Sequence, residues 1–235
     1  MSSTNLASVR LDLFSDRPPI TVPLTVIHIT KLTREVVEDF LDKASGFIGF
    51  AVSYEKGKAK QLAFAAGDTI LLVQLGGGSH LPHRSARVLS SLFEVTLLGF
   101  WLDRAAIHIR LELNISILGV DLQFNPNESR SSLVPISNVL QKCGALNRTK
   151  FADAFLSEKH SKSQPHSLVK RAWAAWMTLE TSGKEINVAK RIDMERISSA
   201  VCLIKPPPLK CLTCGGGNSC SIFKYWLKPF LTPID

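Results

Sequence analysis

The chain has 235 residues, of which 45% are hydrophobic and 20% are charged. This composition is typical of a globular chain with a core and excludes an intrinsically disordered one. No apolar run approaches the roughly 20 residues that a membrane-spanning helix needs. The first residues lack the basic start and apolar stretch of a secretory signal, so we expect no membrane partner and an intracellular protein, cytoplasmic or nuclear.

The net charge of +8 is concentrated in the second half of the chain. Residues 1–120 hold 12 Lys and Arg against 11 Asp and Glu, whereas residues 121–235 hold 16 against 9. A basic half commonly contacts a polyanion, and nucleic acid is the usual one. The alternative is a basic surface that serves solubility alone.

The first elements in chain order are an arm, a short strand and a helix. Residues 1–24 are polar and then rich in proline, which predicts an N-terminal arm. A short strand is expected over residues 25–29. Thr33 then precedes an acidic turn and apolar residues at helical spacing, which predicts an N-capped helix that ends at Gly46.

Three adjacent strands are predicted next. Residues 46–54, GFIGFAVSY, form a short apolar run that a lysine-rich break follows. Residues 62–75 form a second run, in which Gly67 and Asp68 give a two-residue hairpin signal. The pattern is strand, turn, strand.

Helix and strand patterns alternate through the rest of the chain. Strands are predicted over residues 95–100 and 115–122, and a helix is expected within 183–204. Helices are also predicted over residues 85–93, 101–109, 134–143, 150–156 and 168–181. These elements predict an α/β fold with a mixed central sheet, an initial antiparallel hairpin and helices on both faces.

Residues 201–235 predict an extended C-terminal tail rich in Pro, Cys and Gly. Cys211, Cys214 and Cys220 lie close together there, but a closed zinc site needs four ligands, and reduced thiols without metal are the alternative. The tail ends in aromatic residues, which offers an anchor for a protein partner.

Five blocks of the sequence resemble, in order and spacing, the 3′–5′ exonuclease domains of the DnaQ-like (DEDD) family, within the ribonuclease H-like superfamily. The blocks are FLDKASGFIGFAVS at 40–53, DTILLVQL at 68–75, LGFWLDRA at 98–105, NISILGVDL at 114–122 and SLVKRAWAAW at 167–176. The resemblance implies a ribonuclease H-like fold for a domain over residues 25–200.

The resemblance also implies that the catalytic acids of the family are missing. In such enzymes four acidic side chains hold two divalent metal ions, which clamp the scissile phosphate and generate the attacking hydroxide. Mapped position by position, these acids fall on Ala51, Ser53, Ala105 and Arg171. None is acidic, so we expect a catalytically degenerate domain, a pseudo-nuclease without a metal cofactor.

Nearby acids could substitute for the missing ones. Glu55 shares a strand face with Ala51 by alternation, and Asp121 falls at an accessory acidic position of the family. Asp103 lies two residues before Ala105. Solvated or helix-capping roles are the alternative for each of these three acids.

Basic residues around the fourth position are candidates for contacts to nucleic acid. They are Lys159, Lys162, His166, Lys170 and Arg171. Tryptophans 101, 173 and 176 could stack on bases or pack in the core. The leading hypothesis is a domain that binds RNA or single-stranded DNA without cleaving it. The alternatives are a protein-interaction scaffold of a nucleic-acid-processing complex and a residual metal-dependent 3′–5′ exonuclease.

Overall fold

The computed structural model describes residues 5–55, 57–76, 82–123, 134–156, 165–182 and 189–191. These residues belong to one compact unit, Met1–Ile192. A second unit, Asp193–Asp235, lies outside the described residues, and the tail predicted over 201–235 lies there with it.

Within the described residues, eight strands form one sheet in the order β1-β2-β5-β4-β3-β6-β7-β8. Their bounds are Asn5–Leu11 (β1), Ile20–His28 (β2), Phe47–Glu55 (β3), Lys58–Ala66 (β4), Thr69–Gln74 (β5), Thr96–Gly99 (β6), Ile117–Asp121 (β7) and Ala189–Arg191 (β8). The short β8 replaces part of the helix that the sequence predicted within residues 183–204.

Six α-helices accompany this sheet in the described part of the chain. They are Arg34–Leu41 (α1), His83–Ser91 (α2), Leu102–Leu113 (α3), Ile136–Gln141 (α4), Arg148–Phe151 (α5) and Pro165–Ser182 (α6). A 3-10 turn at Ile29–Lys31 precedes α1, and a π-helical turn at Ala152–Leu156 follows α5. As predicted, the Thr33 side chain caps α1 by accepting a hydrogen bond from the Val36 backbone.

The five central strands have the pairing of a ribonuclease H-like fold. β3, β4 and β5 form an antiparallel meander, with Gly67 in the left-handed conformation (φ 59°) at the β4–β5 turn. β6 pairs with β3 in parallel, and β7 pairs with β6 in parallel. The predicted fold class, a mixed sheet with an antiparallel hairpin, is confirmed.

Helices cover both faces of the sheet, as predicted. On one face, buried residues of α4 and α6 such as Leu140 and Ala172 share a core with β1 and β2. On the other face, Val37 of α1, Leu89 of α2 and Ile109 of α3 share a second core with the sheet. Covered faces explain why long parts of the central strands, such as residues 62–66 of β4 and 70–73 of β5, are apolar without alternation.

Helix α6 lies directly against β3 because Gly49 has no side chain. A Cβ atom at Gly49 would meet the Ala172 carbonyl oxygen, and it would lie 2.6 Å from the Trp176 nitrogen and 2.8 Å from the Trp176 Cβ. This close contact places α6 across β3 and fixes the distance of the α6 residues from the sheet.

The prediction of an N-terminal arm over residues 1–24 is wrong for residues 5–24. Val9 and Leu11 of β1 alternate with exposed Ser8 and Arg10, and they are buried in the core beneath α6. β2 pairs in parallel with β5, so both strands extend the sheet. The domain therefore begins well before residue 25.

Candidate functional site

β3 carries two of the four positions at which the family resemblance expects acids. Ala51 pairs with Ala63 of β4, is partly buried and packs against the core on the α6 side of the sheet. Ser53 pairs with Gln61 and is also partly buried, just before an irregularity in the register at Tyr54.

A cavity of about 180 Å³ brings three of the four positions together. Ala51 contributes from β3, Ala105 from α3 and Arg171 from α6. Ser53 does not line it. The other lining residues are Phe50, Val52, Tyr54, Phe100, Trp101 and Arg104.

Arg104 and Arg171 give this cavity its charge, since the rest of its lining is uncharged. The Arg171 Nε donates a hydrogen bond of 2.6 Å to the Ala154 carbonyl oxygen, which orients the guanidinium. Burial lowers the pKa of Arg171 to about 10, so the side chain stays charged at neutral pH. The site is an apolar, partly desolvated cavity with positive charge.

The turn before α3 is held by two residues at the end of β7 and just after it. Trp101 adopts a left-handed conformation (φ 54°), and its backbone nitrogen donates to the Gln123 Oε1 at 3.2 Å. The buried Asp121 carboxylate accepts from the Asp103 backbone at 3.2 Å and from the Gln123 backbone at 3.0 Å. Asp121 therefore has the capping role, and Gln123 is a positioning residue that the sequence did not indicate.

Tyr54 adds a buried hydroxyl to the lining. Its oxygen is buried and has no hydrogen-bond partner within the part of the chain that the structure describes. Desolvation, and then the charge of Glu112, raise the pKa of Tyr54 well above its ordinary value. Its ring packs on His108, with the centroids 4.7 Å apart.

The other nearby acids, Glu55 and Asp103, do not line this cavity. The Glu55 carboxylate lies 3.3 Å from the Lys60 ammonium, and Asp103 is exposed at the start of α3. Across the described ranges, no three His, Cys, Asp or Glu side chains are grouped so that they could hold a metal ion. The described residues therefore offer no carboxylate cluster for a divalent cation.

Lys170, a predicted nucleic-acid contact, has a different partner. Its Nζ lies 2.6 Å from the Asp12 Oδ1, and the Lys150 Nζ lies 3.7 Å from the Asp12 Oδ2. Burial alone would raise the pKa of Asp12, but the hydrogen bond and charge of Lys170 and the charge of Lys150 lower it on balance. This ion pair ties α6 to the residue after β1, and the predicted contact of Lys170 with nucleic acid stays a prediction.

Of the remaining basic candidates, the structure describes His166 alone. His166 is exposed in the first turn of α6 and does not line it. Lys159 and Lys162 lie outside the described residues, so their predicted contacts stay predictions. Of the predicted basic residues that the structure describes, Arg171 is the one that lines a cavity with Ala51 and Ala105.

The strand order and pairing give this chain an α/β fold of the ribonuclease H-like type, and three of the four mapped positions line one cavity with Arg104. No family model and no curated protein matches the chain. It is similar to the crystal structure of Trypanosoma brucei RNase D in complex with RNA U12, with 12% identity, a TM-score of 0.45 and coverage of 87% of this chain and 78% of that one.

The chain is also similar to T. brucei RNase D in a GMP complex, with 13% identity, a TM-score of 0.45 and coverage of 87% and 71%. A third similar structure is the EXD2 exonuclease domain soaked in Mn and GMP, with 11% identity, a TM-score of 0.35 and coverage of 67% and 86%. The fold assignment rests on the strand pairing and not on these likenesses. Among the described residues, no helix is long and apolar enough to cross a bilayer.

Proposed function

We propose that this domain binds single-stranded nucleic acid at the cavity of Arg104 and Arg171 and does not cleave it. The observation that carries the proposal is the position of Arg171. It lines one cavity with Ala51 and Ala105, at three positions where the resemblance to 3′–5′ exonucleases places metal-binding acids.

The chemistry of the cavity suits a phosphate group. A guanidinium forms charge-assisted hydrogen bonds with phosphate oxygens, often in pairs. Because the Arg171 side chain is partly buried in an apolar lining, its charge is less screened than a surface charge. Trp101 in the same lining offers an aromatic surface for a base.

The same residues disfavour metal-dependent hydrolysis. A two-metal mechanism needs carboxylates that hold the cations and neutralise their charge. Alanine provides no ligand atom at 51 and 105, and the Arg171 guanidinium repels a cation. A phosphate bound here would be neutralised by arginine directly.

Binding is tested by fluorescence anisotropy with labelled single-stranded RNA and DNA of about 12 nucleotides, over about 50 to 200 mM salt. Arg171→Gln and Arg104→Gln should each weaken binding by roughly tenfold or more, since a hydrogen bond to a charged group contributes about 1.5–3 kcal/mol. The salt slope should fall by about 0.7 for each phosphate that the variant no longer neutralises.

Arg34→Gln is the matched control, because the Arg34 side chain is 83% exposed and pairs with Glu38 on α1, away from the cavity. Its affinity should stay near that of the unsubstituted protein. The proposal is refuted if no single strand binds at low salt, or if all three substitutions have equal effects.

The absence of cleavage is tested separately. The protein, incubated with end-labelled oligonucleotide and Mg²⁺ or Mn²⁺, should leave the oligonucleotide intact. Degradation from the 3′ end that stops when a chelator is added would restore the residual-exonuclease hypothesis. The scaffold hypothesis rests on the C-terminal tail, which lies outside the described residues. A stable complex with another protein that persists when both arginines are substituted would support it.

A further inference from the structure

Among the residues that the structure describes, the lining of the Arg171 cavity carries two positive charges and no negative one. Arg104 of α3 and Arg171 of α6 supply the positive charges, and the other lining residues are uncharged. Both arginines are partly buried. A charge in an apolar, partly desolvated lining is costly unless an opposite charge accompanies it. A ligand with two negative charges therefore matches this cavity better than a ligand with one.

The phosphate groups of nucleic acid differ in their charge. An internal phosphodiester carries a single negative charge. A terminal phosphomonoester carries about 1.5 to 2 negative charges at neutral pH, because its second pKa is near 6, and it presents three acceptor oxygens. Two guanidinium groups, each of which can donate a pair of hydrogen bonds, suit such a group. The terminal phosphate balances the charge of this cavity, and the internal one does not.

The size of the cavity also favours the end of a strand. Its volume of about 180 Å³ is below the roughly 300–1,000 Å³ typical of sites that enclose a whole small molecule. An internal phosphate is attached to the chain on both sides, so the strand would have to enter and leave the cavity around it. A terminal phosphate is attached on one side only and needs room for one sugar.

Both arginines are carried by backbone that other residues hold in place. The Arg171 Nε donates a 2.6 Å hydrogen bond to the Ala154 carbonyl oxygen in the π-helical turn. Arg104 lies in the first turn of α3, and Asp121 and Gln123 hold the residues where that helix begins. Groups that are already oriented lose little conformational freedom when they bind a ligand, which favours selective recognition.

We propose that this cavity selects a terminal phosphate of single-stranded nucleic acid over an internal phosphodiester. Arg104 and Arg171 neutralise the terminal group together, and the strand leaves the cavity on one side. Either end of a strand can carry this group, and the shared chemistry is a phosphomonoester. The preference rests on the nucleic-acid binding proposed above and adds which part of the strand enters the cavity.

Fluorescence anisotropy with strands of one sequence and an internal dye tests this preference on the full chain. One strand has a 5′-phosphate, one has a 3′-phosphate, and one has hydroxyl groups at both ends. A fourth strand has hydroxyl ends and two additional nucleotides, so its total charge matches that of the phosphorylated strands. At least one phosphorylated strand should bind about tenfold more tightly than this charge-matched strand. The tighter of the two phosphorylated strands identifies the end that is bound.

Substitutions of the arginines locate the preference. Arg104→Gln and Arg171→Gln should each reduce the affinity ratio of the phosphorylated and charge-matched strands from about tenfold to about twofold or less. Arg104→Lys keeps the charge and should retain more of the ratio than Arg104→Gln. Arg34→Gln should leave the ratio unchanged, since this exposed side chain pairs with Glu38 on α1.

The outcomes separate this preference from nucleic-acid binding itself. Equal affinity for the phosphorylated and charge-matched strands, with both weakened by Arg171→Gln, would overturn the preference and leave the binding function standing. A preference that persists in both glutamine variants would place the terminal phosphate elsewhere on the protein, and it would overturn the proposal as well. Absence of binding by every strand at low salt would overturn both proposals. If Arg171→Gln unfolds, Arg104→Gln against Arg34→Gln still decides, since Arg104 is partly exposed.

Discussion

Gly49→Ala should destabilise the protein by more than its single added methyl group suggests. The new Cβ would overlap the Ala172 carbonyl oxygen and would lie within 2.8 Å of Trp176 Cβ. An ordinary van der Waals contact there is longer by about 0.6 Å or more. The overlapping atoms belong to the backbone of α6 and to the base of a side chain, so no rotamer change relieves the clash.

The structure sets the expected magnitude. Relief requires α6 to move away from β3, and α6 contributes a set of nearly fully buried side chains to one core of the sheet: Leu168, Val169, Ala172, Trp173, Ala174, Ala175 and Met177. Overpacking of a well-packed core costs about 1–3 kcal/mol. We expect the upper end, about 3 kcal/mol, which is a large fraction of the roughly 5–15 kcal/mol that stabilises a domain.

Urea denaturation followed by circular dichroism measures this loss. Gly46→Ala is the control, because a Cβ at Gly46 meets nothing within 4 Å, while its φ of 82° costs an alanine roughly 1–2 kcal/mol in backbone strain. Gly49→Ala should therefore have the lower midpoint of the two. Equal midpoints would refute the direct contact of α6 with β3. They would also refute the position of Arg171, because Arg171 belongs to α6.

Three further predictions concern ionisable side chains. Because the pKa of Asp12 is lowered on folding, its contribution is present above its ordinary value of 3.8 and is lost as the pH falls through the lower folded value. Asp12→Asn should cost about 1 kcal/mol at pH 7, since solvent screens part of the pair, and should remove the part of the fall in urea midpoint below pH 3.8 that this carboxylate causes. Asp121→Ala should cost about 1–2 kcal/mol by thermal denaturation, since two backbone donors lose their acceptor; an unchanged melting temperature would contradict the capping role. Tyr54→Phe removes a buried hydroxyl without a partner among the described residues and should leave stability equal or raise it by about 1 kcal/mol; a clear loss would reveal a partner for that hydroxyl.

The central strands could be predicted because their signals are local. Gly67 and Asp68 mark a two-residue turn, and the residues on either side are apolar enough to be strands buried on both faces. The long helix α6 shows its apolar face within its own sequence. Such elements need no information from distant parts of the chain.

β1 and the first half of β2 could not be predicted, since their evidence is in their partners, whereas the strand expected over residues 25–29 overlaps the second half of β2. β1 pairs with β2, and β2 reaches the sheet by pairing with β5, so Leu24 lies opposite Ile70. Prolines 18 and 19 fall in the connection between β1 and β2, where they remove no ladder hydrogen bond. Read locally, these prolines suggested an arm.

The same limit applies to the site. The ion pair of Lys170 with Asp12 joins residues 158 apart in sequence, and Asp12 fell in the predicted arm. The meeting of Ala51, Ala105 and Arg171 at one cavity, by contrast, follows the order of the five family-like blocks. The role of Gln123 depends on a tertiary contact that no motif encodes.

The shape of the Arg171 cavity is set by residues that carry none of its charge. Gly49 determines how closely α6 approaches β3, and Asp121 and Gln123 hold the turn that positions Trp101 and Arg104 at the start of α3. Positions 51 and 105 are alanines, which pack without constraining the backbone. The backbone around this cavity is compatible with either acidic or basic side chains in its lining. A preorganised site determines the geometry, and the side chains in it determine which ligand binds. Substitutions of Arg104 should therefore alter affinity for anions far more than they alter stability, whereas Gly49→Ala should alter both.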